Sequence, residues 1–492
     1  MTKDAINCEN LSEAMISPAV FSVPDVVFRD YDIRGFAGTQ INAEFALRLG
    51  KTLASIFQKN GHSAVYIGRD CRLSSPALAE ALRTGLISAG ADVIDLGAVT
   101  TPALNFAVYQ GGQSSCGIMV TASHNPSEYN GFKIVVRGEV MAGETLQRIK
   151  SLMCSDAPYI GRQGQGATQE IIPQYLQKIA DNCEISRSFK IVVDAGNGVI
   201  GPLAVSLFER LGCNLVPLFC EPDGAFPSHD PNPSDERNLQ QLIGTVKSTQ
   251  SDLGFAFDGD GDRLVVISGN GEIVWPDKLM MIFARDLLLR NPNSEIVFDV
   301  KSSNRLDRLV REYSGRPVMC KTGHAHIRKA VHKTGALLGG EFSGHIFFND
   351  RWYGFDDGLY AAARLLEILC AENENNENPA QSRPQQPTLD QVISEFADSV
   401  YTSELLIPVS ESEKFSLMKT LSDSCEFKGA NIITIDGLRV EYPQGWGLIR
   451  ASNTSAYLTL RFEADNEREL ERIKQLFSDE LAPFINHLEQ YL

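Results

Sequence analysis

Residues 65–90 read VYIGRDCRLSSPALAEALRTGLISAG. Val65–Asp70 is an apolar run ending on a charged pair. A strand buried on both faces has this pattern, with its polar groups gathered at the C-terminal end. Ser75 then stands as a helix N-cap with Pro76 at the first helical position. Leu78, Leu82, Leu86 and Ala89 follow at four-, four- and three-residue steps, and Gly90 closes the helix. The strand pattern returns at Ile191–Asp194 (IVVD) and Ile296–Asp299 (IVFD), with helical segments between. Alternation of this kind over roughly the first 370 residues predicts an α/β fold of stacked strand–helix units.

A chain of 492 residues is too long for one hydrophobic core, and three or four domains are expected. The break is Glu372–Pro387, ENENNENPAQSRPQQP, where Ala380 is the one apolar residue; it reads as an exposed linker or insertion. Beyond it, VEYPQG and YLTLRFEA precede an amphipathic helix carrying Leu470, Ile473 and Phe477, which predicts a smaller α+β domain. The net charge of −17 argues against a nucleic-acid partner, so a phosphate site must be built locally from Arg, Lys and backbone N–H groups. Ten cysteines form no CxxC pair, which fits reduced thiols in the cytoplasm. With Asp4, Glu9 and Glu13 and no continuous apolar core, the first twenty residues are not expected to be a signal peptide, and no apolar run reaches spanning length. No membrane partner is expected.

Four stretches carry chemistry. Thr121–Pro126, TASHNP, follows the apolar run Gly117–Val120. Pro126 restrains Asn125 to extended backbone, and a stiff turn after a strand is where α/β proteins place reactive groups. Ser123 there is a candidate nucleophile or phosphoryl carrier; a Ser/Asn turn bonding its own backbone reads equally well. Asp258–Arg263, DGDGDR, interleaves three carboxylates with two glycines, so that all three can converge on one hard cation. An acidic surface turn is the alternative. An EF-hand is excluded, because Arg263 and Gly269 stand where Gly and Glu are required. Gly339–His345, GGEFSGH, offers Glu341, Ser343 and His345 to sugar hydroxyls, or is a capped glycine-rich loop. Arg450–Ser455, RASNTS, is an anion cradle or a polar turn. Gly50–Thr52 fails as a nucleotide loop, because Phe45 occupies the required upstream glycine.

In this order, the four stretches resemble the α-D-phosphohexomutases, most of all the bacterial phosphomannomutase/phosphoglucomutase branch. The similarity runs from Val27 to the C-terminus. It is reinforced by Tyr31–Gly35 (YDIRG), Gly68–Pro76 (GRDCRLSSP), Tyr129–Lys133 (YNGFK), Asp194–Gly198 (DAGNG), Lys321–His324 (KTGH) and Arg351–Gly358 (RWYGFDDG). The resemblance implies a four-domain, heart-shaped enzyme with three similar α/β domains and a smaller α+β C-terminal domain around a central cleft. The boundaries expected are 21–168, 169–272, 273–371 and 388–492, after an extension at 1–20 and with the linker at 372–387.

The resemblance also implies roles. Ser123 corresponds to the phosphoserine, and Asp258, Asp260 and Asp262 to the magnesium ligands, with a phosphoserine oxygen as a further ligand. Glu341 and Ser343 correspond to the sugar-hydroxyl readers, and Arg450, Ser452, Asn453 and Thr454 to a distal phosphate site. Lys133 and His345 correspond to acid/base groups. Tyr31, Arg34, His124, Arg263, Lys301 and His324 correspond to other cleft positions. Phe342 stands where this branch often has Met and phosphoglucosamine mutases have Gln, which favours hexose over hexosamine phosphate. The implied reaction interconverts hexose 1- and 6-phosphates of mannose or glucose through a 1,6-bisphosphate. A phosphoglucosamine mutase and a metal-dependent sugar phosphatase are the alternatives; a phosphatase needs neither the hydroxyl-reading loop nor the second cradle.

Overall fold

The computed structural model describes residues 23–62, 64–154, 163–370, 387–452 and 456–491. They form two compact units. One holds the described chain up to Pro276 together with Ser343–Leu389; the other holds Asp277–Phe342 and the described chain from Asp390 onward. The 1–20 extension and nearly all of 372–387 lie outside the described residues.

In the first unit, one sheet runs Ile33–Phe36, Tyr129–Val136, Ser115–Val120, Ala64–Arg69, Asp92–Ala98, Gly166–Thr168. Ala64–Arg69 is parallel to both of its neighbours, and Tyr129–Val136 returns antiparallel beside Ser115–Val120 with Lys133 opposite Met119. Every residue of Ser115–Val120 is buried, as expected of a strand covered on both faces. The second sheet runs Ile273–Val274, Leu264–Ser268, Leu253–Phe257, Lys190–Asp194, Asn214–Leu218. Its wholly buried strands Leu253–Phe257 and Leu264–Ser268 pair antiparallel, so the Asp258–Arg263 connection is a tight reversal with both ends fixed.

The helix after Asp70 spans Ser75–Ser88, one residue earlier than expected, with Ser74 rather than Ser75 as N-cap. The Ser75 hydroxyl donates to Asp70 Oδ1 at 2.5 Å and is not available for capping. Gly50–Thr52 lies inside the helix Ala43–Lys59.

In the second unit, Arg316–Cys320, Glu295–Asp299 and Leu338–Gly340 are parallel. A separate antiparallel sheet runs Val400–Tyr401, Tyr457–Ala464, Gly445–Ala451, Leu438–Tyr442, Asn431–Ile433. The helix Glu467–Leu481 buries Leu470, Ile473 and Phe477 against this sheet's core, as the sequence pattern predicts. No helix among the described residues is long and apolar enough to cross a membrane.

Candidate active site

Ser123 sits three residues beyond the buried strand Ser115–Val120 with φ +51°, a left-handed conformation that costs a non-glycine residue about 1–3 kcal/mol unless its surroundings enforce it. They do so here. Its N–H donates to Thr121 Oγ1 at 2.9 Å. Arg72, fully buried, donates to the carbonyls of Ser123 (2.8 Å), Asn125 (2.6 Å), Pro126 (2.5 Å) and Tyr129 (3.1 Å). Asp70 balances that charge through Arg72 Nε at 3.0 Å and accepts the Thr121 hydroxyl at 2.7 Å. The turn's rigidity therefore comes from an Arg72 clasp as well as from Pro126. Neither Asp70 nor Arg72 carried a role in the sequence pattern; the signal that could have found them is a charged pair just after a buried strand.

The Ser123 hydroxyl donates to Asp258 Oδ2 at 2.7 Å. Asp258 Oδ1 in turn accepts the N–H groups of Gly261, Asp262 and Arg263, each at 3.1 Å, which winds DGDGDR around its first carboxylate. A side chain at Gly259 would put its Cβ 2.7 Å from the Ser123 carbonyl, so only glycine lets the two loops approach this closely. Asp260 Oδ2 accepts from the Thr101 hydroxyl at 2.6 Å. Lys133 Nζ donates to Asp260 Oδ2 at 2.6 Å and to Asp262 Oδ2 at 2.5 Å.

Asp258, Asp260 and Asp262 are all fully buried, with one ligand atom of each within 4.8 Å of the others. The structure thus rejects the acidic surface turn. Burial, then repulsion from Asp262 and Asp260, pushes the Asp258 carboxyl well above the usual carboxylate range. Asp260 Oδ1 is buried without a donor among the described residues. An oxygen-only donor set that is crowded and buried, and that leaves this Asp260 oxygen without a donor among the described residues, fits a hard cation. For Lys133, burial alone would lower the pKa, but Asp260 and Asp262 raise it, so the side chain stands as an ammonium among the carboxylates.

Other cleft candidates of the first unit gather here. Arg34 Nη1 donates to Asn125 Oδ1 at 2.7 Å and Nη2 to Asp32 Oδ2 at 2.5 Å. Tyr31, half-buried, lies just before the strand bearing Arg34. His124 Nδ1 lies 3.1 Å from Ser123 Oγ. Desolvation, then Arg263 and Arg34, hold the His124 ring well below the usual histidine range, and it is neutral. His345 faces Asp356 Oδ2 through Nδ1 at 2.9 Å, while Arg263 Nε donates to its Nε2 at 3.1 Å. Asp356, within RWYGFDDG, is a further residue to which the sequence pattern gave no individual role.

Ser343 belongs to the first unit, and its hydroxyl is buried without a partner among the described residues. Glu341, Lys301, His324, Arg450 and Ser452 belong to the second unit, and all are buried. Lys301 Nζ lies 3.5 Å from Glu404, and Arg450 Nε donates to Asp436 Oδ2 at 3.1 Å. His324 opens the helix His324–Thr334. Asn453 and Thr454 lie outside the described residues.

Family models for phosphoglucomutase/phosphomannomutase match the chain in order: α/β/α domain I at residues 25–159, domain II at 173–271, domain III at 275–386 and the C-terminal domain at 405–480. The chain is 46% identical over 462 residues to a phosphomannomutase/phosphoglucomutase of Pseudomonas aeruginosa, covering 94% of this chain and 96% of the relative. It is 44% identical over 460 residues to a phosphoglucomutase of Neisseria gonorrhoeae, covering 93% and 96%. A crystal structure of a phosphoglucomutase/phosphomannomutase family protein from Burkholderia thailandensis superposes with a TM-score of 0.86 at 43% identity, covering 95% of this chain and 99% of that one. With four domain models matched in sequence and relatives spanning nearly its full length, the chain belongs to the phosphoglucomutase/phosphomannomutase family.

Proposed function

We propose that this chain is a phosphohexomutase that interconverts hexose 1-phosphate and hexose 6-phosphate, of glucose or mannose, through phosphorylated Ser123 and a 1,6-bisphosphate. The observation that carries the proposal is the Ser123 hydroxyl, held in a left-handed turn, 2.7 Å from the first of three buried aspartates. A serine that merely closed a turn would not need Arg72 bonded to four carbonyls around it.

Asp258, Asp260 and Asp262 would hold Mg²⁺, whose preference for few carboxylates and phosphate oxygens suits the donor set. Bound there, the ion supplies Lewis-acid stabilisation of the charge on the transferring phosphoryl group. The protein's own groups do the rest. A phosphoserine brings a charge of roughly −1.5 to −2 beside three carboxylates. Arg34, Arg263 and Lys133 offset that charge, and neutral His124 presents a ring nitrogen to Ser123 Oγ. In the forward half-reaction, the bond from phosphorus to Ser123 Oγ breaks and a bond from phosphorus to the sugar hydroxyl oxygen forms. The hydroxyl proton passes to His345, whose Nε2 is an acceptor; Lys133, an ammonium in this structure, takes that role only after giving up its own proton. In the second half-reaction the bond from the other phosphorus to its sugar oxygen breaks, a bond from that phosphorus to Ser123 Oγ forms, and the freed sugar oxygen takes back the proton. Glu341 and Ser343 read the sugar hydroxyls, with Lys301, His324 and Tyr31 lining the substrate site. Arg450 and Ser452, with Asn453 and Thr454, take the phosphate that is not reacting. We place the enzyme in the cytoplasm, where its described free cysteines stay reduced.

The deciding experiment gives the purified enzyme glucose 1-phosphate, mannose 1-phosphate or glucosamine 1-phosphate with Mg²⁺ and a trace of the matching 1,6-bisphosphate. Formation of the hexose 6-phosphates without net phosphate release is expected. Release of inorganic phosphate without isomerisation would make the chain a phosphatase, and turnover of the glucosamine compound alone would make it a hexosamine mutase.

A further inference from the structure

Arg450 does not stand alone in the second unit. Its Nε donates to Asp436 Oδ2 at 3.1 Å, and the same oxygen accepts the N–H of Thr322 at 3.1 Å. Thr322 belongs to the Lys321–His324 turn. Its hydroxyl donates onward to Asp299 Oδ2 at 3.0 Å. The other oxygen of Asp299 accepts the Ser302 hydroxyl at 2.8 Å and the N–H of Phe342 at 3.2 Å. Phe342 follows Glu341, so a continuous chain of hydrogen bonds runs from the guanidinium of the phosphate cradle to the backbone of the sugar-reading loop.

A second feature is steric. Gly437, next to Asp436, has φ +86°, and a Cβ built there would meet the Ile449 carbonyl at 2.3 Å and Arg450 Cβ at 2.6 Å. The Asp436–Gly437 turn is thus pressed against the Arg450 backbone while Asp436 grips the side chain. Glu404 adds to the same field, its carboxyl held below the usual range against partial desolvation by Lys301, Arg450 and Arg461. Asp436, by contrast, lies at hydrogen-bond distance from Arg450 Nε and from the Thr322 amide at once.

We propose that Asp436 is the positioning residue of the phosphate cradle: it fixes Arg450 for the non-reacting phosphate and ties it, through Thr322 and Asp299, to the loop that reads the sugar. The proposal deepens the mutase reading and rests on it. A guanidinium left to wander over its rotamers has to be ordered by each incoming substrate, and that ordering weakens binding with little effect on the chemical step.

The test compares wild type, Asp436→Ala, Asp436→Asn, Gly437→Ala, Arg450→Ala and the Asp436→Ala/Arg450→Ala double variant, by steady-state kinetics with glucose 1-phosphate. Asp436→Ala should raise KM by about tenfold, as for loss of a charge-assisted hydrogen bond, with kcat changed by less than about threefold. The isosteric Asp436→Asn keeps an acceptor but not the charge, and should fall between wild type and Ala. Gly437→Ala should act in the same direction. The sharpest arm is the double variant. If Asp436 works through Arg450, adding Asp436→Ala to Arg450→Ala should raise KM no further. Full additivity of the two, or an unchanged KM in a folded Asp436→Asn protein, would overturn the proposal. Calorimetric binding of glucose 1-phosphate to the same proteins needs no turnover. An inactive wild type would therefore sink the mutase reading, whereas an active one with unshifted Asp436 variants would sink this inference alone.

Discussion

Two regions of this molecule bury charge in quantity, and they do it differently. Around Ser123 the acids are crowded against one another. Asp258, Asp260 and Asp262 come from one six-residue loop, and the Lys133 ammonium is shared between two of them. In the second unit the cations are the larger groups, and Arg439, Arg450 and Arg461 are each met by an acid, a carbonyl or a ring. Arg461 lies over the Phe342 ring at 3.6 Å and reaches Asp277 Oδ2 at 3.2 Å. Arg439 lies over Trp446 at 3.9 Å and donates to the carbonyls of Val300 and Ser302. Trp446 in turn donates to Glu463, which also accepts from Ser303. The first region is built to need something more, a cation or a phosphate's partners. The second holds its charged side chains in place with partners of its own. Substitutions in the first should therefore cost chemistry or metal, and substitutions in the second should cost affinity.

The largest break in that contrast is expected at Ser123. Ser123→Ala removes the proposed carrier and a donor to Asp258 while leaving the Arg72 clasp on the backbone untouched. Mutase activity should fall on the order of a thousandfold or more, as for loss of a covalent nucleophile, with melting behaviour close to wild type. A phosphate-sized mass increment on the intact wild-type protein should be absent from the variant. Near-normal kcat would remove Ser123 from the mechanism.

Asp260→Asn comes next. It takes away one converging carboxylate, whose Oδ1 has no donor among the described residues, and one of the two acceptors of Lys133. Calorimetric titration with Mg²⁺ should show affinity lowered by about tenfold or more, roughly 1.4 kcal/mol at least, and kcat should fall with it. Equal affinity in both proteins would leave the three aspartates without a metal role.

In the second region, Arg450→Ala should raise KM for glucose 1-phosphate by about one to two powers of ten, since a charge-assisted contact is worth roughly 1.5–3 kcal/mol. The weakly held bisphosphate should also escape more often, so the variant should need more added 1,6-bisphosphate for full activity. Superimposable activation curves and KM values would show that the cradle is only structural.

The same contrast explains what could be read in the chain beforehand. The first region is legible because its groups are contiguous. TASHNP and DGDGDR each follow an apolar strand, and their geometry is largely local, with Asp258 accepting N–H groups from residues three to five positions on. The strands at Val65, Ile191 and Ile296 and the C-terminal helix are legible for a similar reason, because periodicity reports burial directly. The second region is assembled from Asp277, Asp299, Thr322, Asp436, Arg461 and Glu463, each an ordinary polar residue in its own neighbourhood. No spacing rule joins Thr322 to Asp436, 114 positions apart. Arg72 escaped for the same reason, because its four carbonyl partners lie more than fifty residues away. The helix begins one residue early, at Ser75, and neither serine hydroxyl caps it: that of Ser75 donates to Asp70 and that of Ser74 accepts from Asn130, tertiary contacts that no capping preference encodes.

The smallest effect expected is on a slope and not on a rate, and it asks whether the first unit's acid crowding extends beyond the site. Asp357 adjoins Asp356, the partner of His345. Burial pushes its carboxyl up to about 7, against hydrogen bonds donated by the Tyr360 N–H, the Tyr175 hydroxyl and the Trp352 indole. In the unfolded chain the same group titrates near its ordinary value of about 3.9. Raised in the fold, it contributes stability that is full below about pH 4 and is lost as pH rises to about 7, because only the unfolded chain releases the proton over that window. Asp357→Asn cannot titrate. Between pH 5 and 7 the wild type should therefore lose stability faster than the variant, by at most about 1.4 kcal/mol per pH unit, the limit for one proton. Above about pH 7.5 the two curves should run parallel. Urea unfolding followed at half-unit pH steps reads this difference, and groups common to both proteins, His345 and His229 included, cancel in the subtraction. Parallel curves across the whole range would mean that Tyr175, Trp352 and the Tyr360 amide keep Asp357 ionised in the fold, and the crowding would then be confined to the three aspartates around Ser123.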